Sequence, residues 1–311
     1  MSKFQVEKQH TLRGHRDCVY TLALAAEPHH VYSAGGDGLV VRWNLLDPEQ
    51  GKVVAKVPTS IYAIYHDCDK NLMVVGQNYE GIHIIDLENE RERGSVKLGK
   101  AALFDIQQQA DHLVVATGEG EIVVVDYNTL VTVQRVTPTK QRARSMALNP
   151  ETKELAVGFS DHTIRIYDTN DYQLKQTITG HTNSVFTVKY TSDYRFLITG
   201  GRDAHLKVWD VQKNYQLTES IAAHMYAINS LHFSSDGHYF ATGSMDKSVK
   251  VWDAQQLRLL KVIDKARHAG HGTSVNRVLW LPTVAEDSHR LLVSASDDRT
   301  VSVWNLQETK Q

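Results

Sequence analysis

With 311 residues, 41% of them hydrophobic and 23% charged, the chain has ample apolar material for a core and does not have the composition of a disordered polypeptide. A formal net charge of −2 gives no global basic field, which argues against nucleic acid as the main partner. The opening residues lack the apolar core of a signal peptide, no stretch reaches the roughly 18 apolar residues of a membrane helix, and Cys18 and Cys68 form no C-x-x-C pair. Reduced thiols, no membrane insertion and a cytoplasmic address, or a nuclear one in a eukaryote, are the expectation.

In chain order, residues 3–12 alternate as an outer strand does. The segment from Val31 to Asn44 is a β-branched run, a Gly-Gly-Asp-Gly turn and a second run ending on Trp43, which reads as a hairpin. Weaker copies of that shape end at Ile85-Asp86, Val125-Asp126 and Tyr167-Asp168, and strong ones at Trp209-Asp210, Trp252-Asp253 and Trp304-Asn305. The ends at 43, 85, 125, 167, 209, 252 and 304 stand 42, 40, 42, 42, 43 and 52 residues apart, around the ~40–45-residue period of a four-stranded blade. The spacing predicts an all-β chain, a seven-bladed β-propeller of four-stranded antiparallel blades, as a single domain over residues 1–311. The stretch after Trp304 is too short for a further strand, so residues 3–12 are expected to complete blade seven and cover its open edge. The sizeable insertions fall in blade seven, around Lys265–Gly272 and Leu281–Arg290.

Dipeptides before the repeats, Gly14-His15 and Gly180-His181, with Ala223-His224 as a variant and Gly270-His271 displaced by an insertion, complete a pattern that resembles the WD-repeat family over nearly the whole chain. The resemblance implies a structural tetrad of His, Ser or Thr, Asp and Trp in each complete blade. The matching residues are His15, Ser33, Asp37 and Trp43; His181, Thr199, Asp203 and Trp209; His224, Thr242, Asp246 and Trp252; and His271, Ser294, Asp298 and Trp304. A buried Asp needs a partner, and a neutral imidazole can relay between its carboxylate and a hydroxyl that meets the indole N–H. A Ser-His-Asp set also suggests a hydrolase, but a Ser locked in a sheet beside Trp and repeated four times points to structure, and no catalytic residues are expected. Blades two to four depart from the pattern: Tyr79 and Glu119 stand in place of the turn Asp, and Val157 in place of the hydroxyl. These blades are expected to lack the hydrogen-bonded clamp and to rely on apolar packing.

The resemblance further implies a non-catalytic scaffold or adaptor that binds protein or peptide segments on the channel-mouth face. The positions that line this face in the family map here onto Tyr20, Tyr62, Asn78, Phe104, Arg142, Arg144, Phe186, Arg202, Asn229, Met245, Asn276 and Asp297. Aromatic residues and Arg dominate interface hot spots, so an acidic, partly apolar segment is the expected partner. Asp105 and Asp297 are the obvious acids near this face, and no nucleophile–base motif accompanies them. The alternative is RNA or phosphate binding through Lys140-Gln-Arg-Ala-Arg144, with an enzyme a more distant one. His29-His30 and the His268, His271 pair read as turn and tetrad residues, so neither a metal nor a cofactor is expected.

Overall fold

The computed structural model describes residues 3–283 and 290–309. The part of the predicted second insertion that spans 284–289 lies outside the described residues. Seven four-stranded antiparallel sheets account for nearly all of the rest, giving an all-β, seven-bladed propeller. The chain divides into two compact units, one of residues 1–56 and 229–311 and the other of residues 57–228.

The first unit holds blades one and seven and nearly all of blade six. Blade one runs Val19–Leu24, His30–Gly35, Leu39–Asn44 and Asp47–Lys56. Blade seven is built from Val275–Trp280, Arg290–Ser296 and Thr300–Thr309, and its outer strand is Lys3–Arg13. That strand pairs antiparallel with Thr300–Thr309, Leu12 opposite Val301 and Phe4 opposite Glu308, across one register shift between Lys8 and His10. Phe4 and Leu12 are buried, so the N-terminal strand fills the core of blade seven as well as covering its edge. The insertion at Lys265 is a single helical turn, Lys265–His268, capped by Asp264, whose carboxylate accepts from Arg267 N.

The second unit holds blades two to five, whose first strands are Ile61–Asp67, Leu103–Gln109, Ala143–Asn149 and Val185–Tyr190. In both units burial rises toward the second and third strands. Leu72–Gln77, Glu154–Phe159 and Tyr239–Ser244 are buried at every residue, while the outer strand Gln216–Ala222 is exposed almost throughout. This explains the sequence pattern: a strand covered on both faces reads as a continuous apolar run, and an outer strand reads as polar. Within each unit, apolar clusters fill the space between successive sheets. Examples are Leu72, Val74, Leu113 and Val125 between blades two and three, and Ile164, Ile166, Val185 and Leu197 between blades four and five.

The glycines at the end of second strands have a steric cause. A Cβ on Gly35 would stand 2.0 Å from Cys18 O, and one on Gly201 2.1 Å from Ser184 O. The turn therefore presses directly on the start of the first strand, which brings the candidate face residues together.

Candidate docking face and the clamps beneath it

The tetrads come first because they position the turns. In blade one His15 Nδ1 lies 3.0 Å from Asp37 Oδ2 and Nε2 lies 2.7 Å from Ser33 Oγ, while Trp43 Nε1 donates to the same hydroxyl at 2.8 Å. Blade five repeats this with His181, Asp203, Thr199 and Trp209 at 2.8, 2.7 and 2.9 Å. Blade seven does so with His271, Asp298, Ser294 and Trp304 at 2.9, 2.8 and 2.9 Å. The helical turn before His271 absorbs the insertion without disturbing the clamp. In blade six Trp252 Nε1 donates to Thr242 Oγ1 at 3.0 Å, His224 is buried, and Asp246 accepts from Ser248 N and Oγ.

A neutral imidazole satisfies each chain: Nδ1–H donates to the carboxylate and Nε2 accepts from the hydroxyl. Burial raises the Asp203 pKa, but the bonds from His181 and from the Thr182 and His205 N–H groups outweigh it and hold the carboxyl at about 2. Asp298 is depressed in the same way by His271, Thr300 and Gly272 N–H against its own burial. Ser33 and Ser294 are wholly buried, and each hydroxyl accepts from the indole N–H of Trp43 or Trp304.

Blades two to four correct the expectation that they lack polar clamps. In blade two His83 bridges Gln77 Oε1 at 2.8 Å and Glu92 Oε1 at 2.9 Å. In blade three Arg135 binds Glu121 Oε2 at 2.8 Å and Leu98 O at 2.7 Å. In blade four Asp161 accepts from Arg165 Nη2 at 2.8 Å and from Thr163 Oγ1 at 2.6 Å. The signal was in the sequence. His83 pairs across the sheet with Val75, and Arg165 with Val157, so each stands opposite the position of the missing hydroxyl.

In the second unit, four residues at one register, one from each blade, stack in series. The Tyr62 and Phe104 rings are stacked, 5.6 Å apart and 10° from parallel. The Arg144 guanidinium lies over Phe104 at 4.3 Å and over Phe186 at 5.1 Å. All four are half-buried, whereas Arg142 and Arg202 are exposed. A chain of bonds links the backbones of Arg142 and Arg202 and the side chain of Arg144: Ser160 N donates to Arg142 O (2.9 Å), Arg144 Nε to Ser160 Oγ (3.0 Å), Ser184 Oγ to Ser160 O (3.2 Å) and Arg202 N to Ser184 O (2.8 Å). Burial lowers the Arg144 pKa, Arg142 and Arg202 lower it further against an opposing effect of Tyr62, and it falls to about 10. The group stays cationic at neutral pH, and no carboxylate figures among the charges acting on it.

Asn78 does not belong to this surface. It is 0% exposed, its Nδ2 donates to Ser60 Oγ at 3.0 Å and its Oδ1 accepts from Leu103 N at 2.8 Å. It ties blade two to blade three, and no amide atom remains for a partner. Asp105 is spent similarly: its carboxylate accepts from Ile106 N and from Met146 N, the latter at 2.7 Å in the next blade.

The candidate positions of the first unit are also largely self-satisfied. Asn229 Nδ2 donates to Ser274 Oγ and Val275 O, and Asn276 Nδ2 to Val19 O and Asp297 Oδ1. Cys18 Sγ bonds Asp297 O, and burial followed by the nearby Asp297 charge raises its pKa. Tyr20 is half-buried, and Met245, 57% exposed, is the open apolar residue among these positions. Among the described residues, no group of three or more His, Cys, Asp or Glu is placed to hold a metal ion, and no helix is long and apolar enough to cross a membrane.

Comparison with known proteins agrees with this geometry. A solved structure described as the WD40 beta propeller domain of Doa1 superposes with a TM-score of 0.83 over 96% of both chains, at 16% identity. Striatin-3 of Homo sapiens is 26% identical over 64% of this chain and 27% of its own length. THO complex subunit 3 of Arabidopsis thaliana is 24% identical over 65% and 64%, and a 66 kDa stress protein of Physarum polycephalum 26% identical over 64% and 33%. The matched region thus spans between a quarter and two thirds of these relatives. The family model "WD domain, G-beta repeat" matches residues 6–44, 132–168, 172–210, 215–253 and 264–305, and on that match the chain belongs to the WD-repeat family.

Proposed function

We propose that this protein is a non-catalytic interaction scaffold or adaptor subunit, and that it docks a protein or peptide segment on the face carrying Tyr62, Phe104, Arg144 and Phe186. The observation that carries the reading is the contrast in hydrogen-bond use. Asn229, Asn276 and Asp297 spend their polar groups on the chain itself, whereas Arg144 makes one bond to Ser160 and its neighbours Arg142 and Arg202 are exposed. A held Arg144 cation beside half-buried aromatic rings is poor for a free surface and good for a partner: little of its side-chain entropy remains to be lost on binding, and Tyr and Arg anchors dominate interface energies.

Family membership supports a holding role, and THO complex subunit 3 is by its name a subunit of a complex. A cytoplasmic setting belongs to the same proposal. Affinity purification with quantitative mass spectrometry tests it, using the double variant Tyr62→Ala, Arg144→Glu. Loss of the captured partners from a folded variant is the expected result. Retention of every partner places the docking surface elsewhere.

A further inference from the structure

The arginine cluster specifies its occupant more narrowly than an acidic segment. We propose that Arg142, Arg144 and Arg202, with the Ser160 hydroxyl, form a receptor for a phosphoryl group carried on a side chain of the docked segment. This rests on the docking face proposed above and names the chemistry at its centre.

Three observations lead there. The first is charge: the Arg144 guanidinium is tied to Ser160 Oγ, the backbones of Arg142 and Arg202 are tied to Ser160 and Ser184, and after burial the charges of Arg142 and Arg202 lower the Arg144 pKa with no carboxylate among the groups acting on it. One carboxylate offers two oxygens and a single charge. A phosphoryl group offers three acceptor oxygens and about −1.5 to −2 charge, which matches several planar forks at once.

The second is orientation. Phe104 and Phe186 hold the Arg144 plane and Ser160 Oγ takes its Nε, which leaves the two Nη groups as the free fork. Ser160 Oγ accepts that bond, so its own hydrogen remains to be donated.

The third separates a phosphorylated protein from RNA. Single-stranded nucleic acid is held by bases stacked on aromatic faces, but here Phe104 is already covered by Tyr62 and Arg144, and Phe186 by Arg144. The net charge of −2 also lacks the extended basic field that a polyanion uses.

The test uses the full chain and three pools of short degenerate peptides that differ only in a fixed central phosphoserine, glutamate or serine. Binding is followed by fluorescence anisotropy, with phenyl phosphate and single-stranded RNA as further probes. The phosphoserine pool should bind about tenfold or more tightly than the glutamate pool, as a charged hydrogen bond gained or lost implies. Phenyl phosphate should compete, and Arg144→Met should abolish the preference. Arg142→Ser with Arg202→Ser, both at exposed positions, should abolish it too and keeps the test independent of any folding defect in the Arg144 variant. Equal binding of the phosphoserine and glutamate pools, sensitive to the same Arg changes, overturns the phosphoryl receptor and leaves the docking face standing. Phosphoserine binding that ignores all three Arg changes, or no binding by any pool, overturns the receptor. Tight RNA binding lost with the arginines overturns both readings.

Discussion

The two units solve the same architectural problem with different chemistry. In residues 3–56 and 229–309, the tetrads of blades one and seven bind His, hydroxyl, Asp and Trp into closed sets, and the polar groups of the candidate face close on their own backbone. In residues 57–228, only blade five keeps a tetrad. Blades two to four use His83, Arg135 and Arg165 with carboxylates, and blades two to five carry the Tyr62, Phe104, Arg144 and Phe186 stack, in which the Arg144 guanidinium is held. In blades two to four, side-chain bonds to Glu92, Glu121 and Asp161 stand in the absence of the tetrads.

The largest expected effect concerns the strand that completes blade seven. Deleting residues 3–12 removes the burial of Phe4 and Leu12, a loss of about 3–6 kcal/mol from those two side chains alone, and exposes the edge of Thr300–Thr309. Thermal unfolding should show a sharply lowered midpoint, and an unchanged one would remove the strand's structural role.

Next come the clamps themselves. His181→Ala leaves Asp203 and Thr199 buried without their shared partner and should cost about 1–3 kcal/mol in urea denaturation. His83→Ala breaks a pair whose Glu92 is half-exposed, and should cost less than about 1 kcal/mol. Equal costs would erase the distinction drawn between tetrads and substitute pairs.

Acid sharpens the same contrast. Asp203 is held at about 2 against an unfolded value of about 3.9. A depressed carboxyl contributes stability that is complete above the unfolded value and is lost as pH falls through the folded one. Unfolding followed from pH 5 to 2 should therefore show stability falling below about pH 4, and Asp203→Asn should flatten part of that fall. The smallest effect is chemical: Cys68 is exposed and Cys18 only half-exposed, with a thiol pKa raised by burial and Asp297. Iodoacetamide should label Cys68 several times faster, since the thiolate is the reactive form.

The repeat spacing in the sequence was enough to predict seven four-stranded blades and the N-terminal strand, because β alternation and turn residues are local signals. The tetrads were legible for the same reason, since His15, Ser33, Asp37 and Trp43 recur at a fixed register. What could not be read was the fate of individual polar atoms. Asn78 occupies a face position by register, yet its amide is consumed by Ser60 and Leu103, a contact between blades that no single-repeat pattern contains. The substitute clamps left a partial signal, His83 and Arg165 facing the lost hydroxyl positions, but their partners, Gln77 and Glu92 for one and the turn residue Asp161 for the other, follow no rule of the repeat. The stacking order Tyr62, Phe104, Arg144, Phe186 was implicit in the register, but only the structure places the rings and the guanidinium against one another.

Site-specific photo-crosslinking offers the most direct view of the face. A benzoylphenylalanine introduced at Arg202, in the open cation cluster, and separately at Asn276, among the self-satisfied groups, reports which surface a partner touches in a cell extract. Strong partner adducts at position 202 and weak ones at 276 are the predicted result. Adducts at 276 with none at 202 would contradict the assignment of the docking face to blades two to five.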